Sequence, residues 1–280
     1  MAIRQRSGAV VCPSCGSLIG VSELACPFCK TRLPGLGGFG PALRRGLDED
    51  LVRIIMTGCG VLYILTLAID PGGIALLDDG IMAVGSPSSR ALWLAGMTGH
   101  AAWDQGHWWT LLTASWLHGS LIHILFNLYW IRHLGTVTRE LFGPARFFLI
   151  YTFAGVAGFL LSNLTSNAPT IGASAATFGL MGAAVAFGRR RGGTFGRALR
   201  TEMLKMAVIV FVFGLAMTGT NNWAHAGGFL GGMAAGALMP VTKNRGESQW
   251  VQLGAAGLAA ATALALIGNV LWMWGTFQAS

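Results

Sequence analysis

Residues 221–238 read NNWAHAGGFLGGMAAGAL. Ala224, Gly228, Gly232 and Gly236 fall four apart, with Gly227 and Gly231 beside them. On a helix this spacing makes a stripe with almost no side chain, and in lipid such stripes let two backbones come close. His225 lies three residues before Gly228 and seven before Gly232, on the edge of the stripe. Its imidazole therefore faces a neighbouring helix. Ionisable groups inside a span are costly and are candidates for function.

The matching face is in residues 170–183, TIGASAATFGLMGA. Ser174 opens an apolar helix, with Phe178 and Gly182 at i+4 and i+8. A serine at a helix start is usually only a cap for an orphan N–H. Close pairing of these two helices would instead bring its hydroxyl to the imidazole of His225. A third stretch, HGSLIHILFNLYW at 118–130, places His123 and Asn127 four apart, on one helix face. Taken singly, Ser174 reads as a cap and His123 as a histidine bonded inside a bundle.

The rest of the chain supplies a membrane around them. Of its 280 residues 53% are hydrophobic and 11% charged, against roughly 25% charged in a soluble domain. Apolar runs recur at 52–69, 119–137, 147–166, 174–188, 206–219, 223–241 and 251–275. Each approaches the roughly 20 residues that cross a bilayer, so the sequence predicts an all-α polytopic membrane protein with seven spans. With the N-terminus inside, all but Arg90 of the 19 Lys and Arg fall on the inner side, while Asp70, Asp78, Asp79 and Asp104 fall outside. Cytoplasmic segments accumulate Lys and Arg, which predicts the N-terminus in and the C-terminus out. The net charge of +8 is thus a topology signal. No basic patch with interleaved aromatics points to nucleic acid. No cleavable leader is evident in residues 1–50, so the first span reads as the insertion signal.

In this topology Ser174, His225, His123 and Asn127 share the outer half of the bilayer. A hydroxyl beside an imidazole is the minimum for nucleophilic catalysis. None of the 11 acidic residues lies in the outer half of a span, and only Asp104, in a loop, comes into question as a third member. The reading is a Ser–His dyad, with His123, the Asn127 amide and the Ser174 N–H as candidate oxyanion donors.

These residues carry a resemblance. HILFN with His123 and Asn127, GASAATFGLMG with Ser174 and AHAGGFLGG with His225 resemble the rhomboid family of intramembrane serine proteases, over roughly residues 100–240. The resemblance implies a six-helix rhomboid core, here followed by a C-terminal seventh transmembrane helix that reads as a packing element. It implies Ser174 as nucleophile, His225 as general base, His123 and Asn127 as oxyanion ligands, and Phe178 stacked on the histidine. Its reaction is peptide-bond hydrolysis in or beside substrate transmembrane segments, with no cofactor for catalysis. Two positions depart from the family pattern: Ala175 replaces the glycine that often follows the serine, and Trp109-Thr110 replaces a frequent Trp-Arg in the preceding loop. The rival readings are a non-catalytic rhomboid-like protein that binds transmembrane clients, disfavoured by retention of Ser174 and His225, and a transporter, disfavoured by spans without carboxylates.

The tail is a separate unit. CPSCGSLIGVSELACPFCK, residues 12–30, places Cys12, Cys15, Cys26 and Cys29 as two Cys-x2-Cys knuckles. Four thiolates so spaced suit tetrahedral zinc in a closed structural site; disulfides or free thiols are the alternatives, and a reducing compartment disfavours disulfides. The unit resembles a minimal zinc ribbon. The expected division is a zinc-ribbon-like cytoplasmic module at 1–33, a Gly/Pro-rich linker at 34–50, the membrane domain at 51–245, and the seventh helix with the C-terminus at 246–280. The expected partners are the bilayer, transmembrane protein substrates and a cytoplasmic partner for the zinc module. The expected site is a bacterial inner membrane.

Overall fold

A computed structural model describes residues 4–43, 50–76, 80–217, 219–239 and 247–278. Asp78, Asp79, Arg44, Arg45, Lys243 and Arg245, used above to read topology and the linker, lie outside the described residues. The architecture is a helical bundle with a small two-stranded sheet at its N-terminus. Among the described residues seven long helices stand where seven spans were predicted: α1 (Leu51–Ile69), α5 (Leu121–Phe142), α6 (Pro144–Thr165), α7 (Ser174–Arg191), α8 (Gly193–Ala216), α9 (Asn222–Leu238) and α10 (Gln249–Gln278). Three short helices precede α5: α2 (Ser89–Leu94), α3 (His100–Asp104) and α4 (Thr110–Thr113), the last running into a 3-10 turn at Ala114–Trp116. The end of the bundle that carries Ser174 is called upper below.

By length and composition alone, α1, α6 and α10 can cross a bilayer; the Thr110–Trp116 segment and α5, bent by 96° from each other, reach that length and composition only when taken together. The others fall short for reasons the sequence shows. α7 ends in Arg189–Arg191, α9 has only 17 residues, and α8 carries Arg197, Arg200, Glu202 and Lys205 ahead of its apolar part. That charged stretch separates the apolar runs 174–188 and 206–219. It is helical because Arg, Glu, Lys, Leu and Met are strong helix formers, so the helix continues beyond its apolar part.

α7 is the central element, buried along almost all its length, and α9 lies against it without intervening side chains. A Cβ on Gly228 would meet the Ala175 carbonyl, one on Gly232 the Gly179 backbone, and one on Gly236 the Cα of Ala183. The row on α7 that meets the glycine stripe is thus Ala175, Gly179 and Ala183, one position round from the expected Ser174, Phe178 and Gly182. Gly182 still takes part, because a Cβ there would strike the Phe229 carbonyl. α6 closes the third side, with Gly158 against the Ala224 carbonyl and the Ala175 methyl.

Polar groups fasten the lower ends. Arg190 donates to the carbonyls of Gly236, Ala237 and Met239 at the C-terminus of α9, where a cation complements the helix dipole. Glu247, just before α10, accepts from the N–H groups of Ala145 and Arg146 at 3.0 and 2.7 Å. A carboxylate there caps the positive end of α6. Gln249 donates to the carbonyl of Arg32, joining the N-terminal unit to the foot of α10.

The N-terminal unit pairs β1 (Ala9–Val11) with β2 (Leu18–Gly20), antiparallel. Part of the expected linker folds back on it, since Arg4 donates to the Gly37 carbonyl and the Gln5 N–H to Gly38.

Candidate active site

Ser174 is the first residue of α7, and His225 lies in the first turn of α9. The seam of small residues sets the distance between these two helix starts. Ser174 Oγ stands 2.9 Å from His225 Nε2. The imidazole stacks on Phe178, with ring centroids 4.4 Å apart and planes inclined by 14°. Its other nitrogen, Nδ1, lies 3.2 Å from Asn222 Oδ1, one turn earlier on α9. An Nδ1–H donated to that carbonyl oxygen leaves Nε2 to accept the serine proton. Asn222 was missed in the sequence because only carboxylates were considered for the third place. Asp104, the one carboxylate considered, is exposed and pairs with His100 at 3.9 Å.

His123 approaches the same serine from α5. The Gly119 N–H donates to its Nδ1 at 3.2 Å, so the ring carries its proton on Nε2. That nitrogen looks into a space kept open by Gly172. A Cβ on Gly172 would sit 2.7 Å from His123 Nε2 and 3.9 Å from Ser174 Oγ, and its φ of +114° independently requires glycine. Asn127 is buried beside them and donates through Nδ2 to the His123 carbonyl at 2.9 Å. One amide hydrogen is thereby engaged, and the second remains for another acceptor. Ser174, His225 and His123 therefore converge on one space, and Asn127 is tied to the His123 backbone.

His118 is fully buried, and its ring meets that of His123 edge-on at 5.1 Å. The bend between the 3-10 turn and α5 turns it inward. The Ala175 methyl, in place of the family's glycine, is received by Gly158 on α6, where any Cβ would come within 2.7 Å of it.

A polar network holds the chain just before Ser174. Thr98 and Thr170 exchange backbone hydrogen bonds at 3.2 and 2.8 Å, and the Gly172 N–H donates to Ala114 at 2.9 Å. Asn221, which caps α9 through the Ala224 N–H, also donates to Thr170 Oγ1 at 2.8 Å and Ser162 Oγ at 2.6 Å. One asparagine thus ties the helix of His225 to the approach to Ser174. Thr110, where the family often has arginine, is buried; it donates to the His107 carbonyl at 2.7 Å, and its Oγ1 lies 3.1 Å from Thr98 Oγ1. Of the tryptophans before α5, Trp108 and Trp109 are both exposed, yet Trp109 donates to Asn269 on α10, and Trp116 lies over Gly58.

At the other end of the chain, Cys12, Cys15, Cys26 and Cys29 bring four sulfurs within 4.8 Å of one another. Four sulfurs about 2.3 Å from one zinc ion in a tetrahedron stand about 3.8 Å apart. The sulfurs of Cys12 and Cys29 are 3.6 Å apart, and those of Cys15 and Cys26 are 3.7 Å apart. A disulfide would need about 2.05 Å. The donor set and its size fit zinc. Both knuckles turn alike, with Gly16 N–H donating to Cys12 and Lys30 N–H to Cys26, each at 2.9 Å. Gly16 adopts φ +78°, and Lys30 takes the same left-handed conformation at +62°. Burial pushes the Cys12 thiol up to about 12, while hydrogen bonding by Thr31 draws Cys29 down to about 6.

The fold and this site define a class: an integral membrane bundle in which two glycine-paired helices present a buried serine–histidine contact. Comparison with known proteins identifies the class more closely. The rhomboid domain family matches residues 105–242, so the chain carries a rhomboid domain there. It is 34% identical over 159 residues to the rhomboid protease GluP of Bacillus subtilis, covering 57% of this chain and 31% of that protein. It is 29% identical over 153 residues to rhomboid-like protease 3 of Toxoplasma gondii, covering 53% and 58%. It is also 28% identical over 153 residues to the inactive RHOMBOID-like protein 8 of Arabidopsis thaliana, covering 52% and 42%. The chain spans less than two thirds of the length of each of these relatives. The family includes proteases and inactive members.

Proposed function

We propose that this protein is an intramembrane serine endopeptidase that cleaves transmembrane segments of protein substrates near the outer face of a bacterial inner membrane. The observation that carries the reading is the 2.9 Å contact of Ser174 Oγ with His225 Nε2, on an imidazole already stacked and bonded at Nδ1. Ser174 attacks the scissile carbonyl while His225 Nε2 takes the hydroxyl proton. His123 Nε2–H, the Asn127 amide and the Ser174 N–H receive the oxyanion. His225 then returns the proton to the leaving amine, and water hydrolyses the acyl-serine ester by the same exchange. The N-terminus is placed in the cytoplasm and the C-terminus outside. Residues 51–245 form the catalytic membrane domain, and 246–280 the seventh transmembrane helix with the C-terminus.

Helical amides shield their carbonyls, so a substrate must unwind locally before attack. Helix-weakening Gly or Pro near the cleavage point lowers that cost. Equal cleavage of an uninterrupted poly-leucine helix would count against the reading.

Residues 1–33 form a structural zinc module held by Cys12, Cys15, Cys26 and Cys29. The metal would supply folding free energy to a unit with almost no core of its own and takes no part in proteolysis. A cytoplasmic protein is its proposed partner.

The deciding experiment compares wild-type protein with Ser174→Ala and His225→Ala in detergent, against several transmembrane substrates and a fluorophosphonate probe. Cleavage and Ser174 labelling by the wild type, both lost in the variants, is the expected result. Wild-type inertness in both assays moves the protein to the client-binding, non-catalytic reading.

A further inference from the structure

The rhomboid match ends at residue 242, before α10 begins. α10 is long, apolar and largely exposed along its flanks, yet it carries one buried amide at the height of the upper loop. Asn269 is 3% exposed. Its Oδ1 accepts the indole N–H of Trp109 at 2.9 Å. Its Nδ2 donates to the Ala95 carbonyl at 3.1 Å and to Thr113 Oγ1 at 3.3 Å. Thr113 Oγ1 in turn donates to the Gly96 carbonyl at 2.9 Å. A Cβ on Gly96 would run into the Asn269 amide, so the loop is shaped to admit it.

Apolar and aromatic contacts surround this polar point. Met273 is buried among Leu62, Leu92, Leu94, Ala95 and Leu117. Trp272 meets His107 edge-on at 5.5 Å, and Arg90 lies 4.4 Å over the Phe277 ring. The segments Asn269 grips lead straight to the nucleophile. Thr98, three residues after Ala95, pairs with Thr170; Ala114, next to Thr113, accepts from Gly172. Ser174 follows Thr170 by four residues and Gly172 by two.

We propose that α10 is a clamp that fixes the loop between α1 and α5, and that Asn269 is the positioning residue through which it holds the chain leading to Ser174. The catalytic part of this inference rests on the proteolytic function proposed above. Asn269 touches neither the serine nor the histidine and acts through Trp109, Ala95 and Thr113. In lipid an amide has no water to satisfy it, so a fully bonded asparagine within the apolar stretch 263–275 of α10 fixes both position and register.

The test compares wild type, Asn269→Leu, Trp109→Phe, the double variant, and Leu271→Ala as a lipid-facing control. Three readouts are taken on full-length protein in detergent: the rate and end-point of fluorophosphonate labelling at Ser174, kcat and KM on a transmembrane substrate, and amide hydrogen exchange. Asn269→Leu is expected to slow labelling and lower kcat by roughly tenfold to a hundredfold, the scale of a small misplacement of reacting groups. The labelling end-point stays unchanged, because the protein is folded. Exchange is expected to rise at residues 95–117 and 168–174 and not in α7 or α9. Trp109→Phe, which removes only one donor, moves the same quantities in the same direction by less. The double variant is expected to be no slower than Asn269→Leu, since both act through one contact. Unchanged labelling rate and exchange in both single variants overturns the clamp. So does exchange that rises evenly through the bundle, which would make Asn269 a general packing residue. If the wild type neither cleaves nor labels, the proteolytic reading fails, and the localised exchange change alone then supports or overturns the clamp.

Discussion

Asn222 and His225 lie one turn apart on α9, with Asn222 Oδ1 3.2 Å from His225 Nδ1. The imidazole is therefore held on both nitrogens and on one face, between Asn222, Ser174 and Phe178. A neutral amide can orient the ring without placing a charge in the bilayer, where an isolated carboxylate is expensive.

Replacing Asn222 by leucine should release the ring while leaving the small-residue seam intact. The expected loss is about tenfold or more in kcat with little change in KM, as for an interaction that matters only in the transition state. Steady-state kinetics on one transmembrane substrate would show it, and a change confined to KM would contradict the assigned role.

Gly172→Ala is expected to be more damaging than any substitution outside the dyad. The added methyl would fill the space before His123 Nε2 and strain a backbone at φ +114°. Loss of one oxyanion donor typically costs a factor of about 10²–10³ in kcat. A variant that folds, binds substrate and still cleaves at the wild-type rate would remove His123 from that place.

The seam offers a stability test. Gly232 faces the Gly179 backbone, so Gly232→Val must push α9 from α7. Overpacking of a tight interior commonly costs about 1–3 kcal/mol, occasionally more. The thermal midpoint in detergent should fall, and probe labelling of Ser174 should fall with it. Gly257→Val on α10, where an added Cβ meets nothing within 4 Å, should leave both nearly unchanged.

Purified protein is expected to hold one zinc per chain, measured by elemental analysis. Cobalt substitution should give the absorption of a tetrahedral thiolate site. Cys12→Ser or a strong chelator should unfold residues 4–33 while labelling at Ser174 persists. Absence of bound metal after purification under reducing conditions would argue for free thiols.

Much of this arrangement is legible in the sequence because it depends on local period. The stripe at Ala224, Gly228, Gly232 and Gly236 announces both the helix and its pairing, and the position of His225 beside it gives the direction of the ring. Cys12, Cys15, Cys26 and Cys29 are equally plain, since the same Cys-x2-Cys spacing occurs twice. The helices at Ser89–Leu94, His100–Asp104 and Thr110–Thr113 are not legible, being too short for any period to emerge. Nor is the network of Thr98, Ser162, Thr170 and Asn221, whose members meet only in the folded bundle. Asn269 stands as a lone amide among apolar residues, and α10 reads as mere packing until the loop is seen against it. The one-position rotation of α7 towards Ala175, Gly179 and Ala183 has the same origin. Several faces of α7 are made of small residues, and only the neighbours decide which one α9 takes.

Because the α7–α9 seam is backbone on backbone, no rotamer change can widen or narrow it. The separation of Ser174 from His225 behaves as a fixed gauge, set by the thickness of two peptide chains rather than by adjustable side chains. Variation in sequence or temperature that repacks the bulkier helices leaves that gauge alone. Whatever must move to admit a polypeptide has to move elsewhere in the bundle.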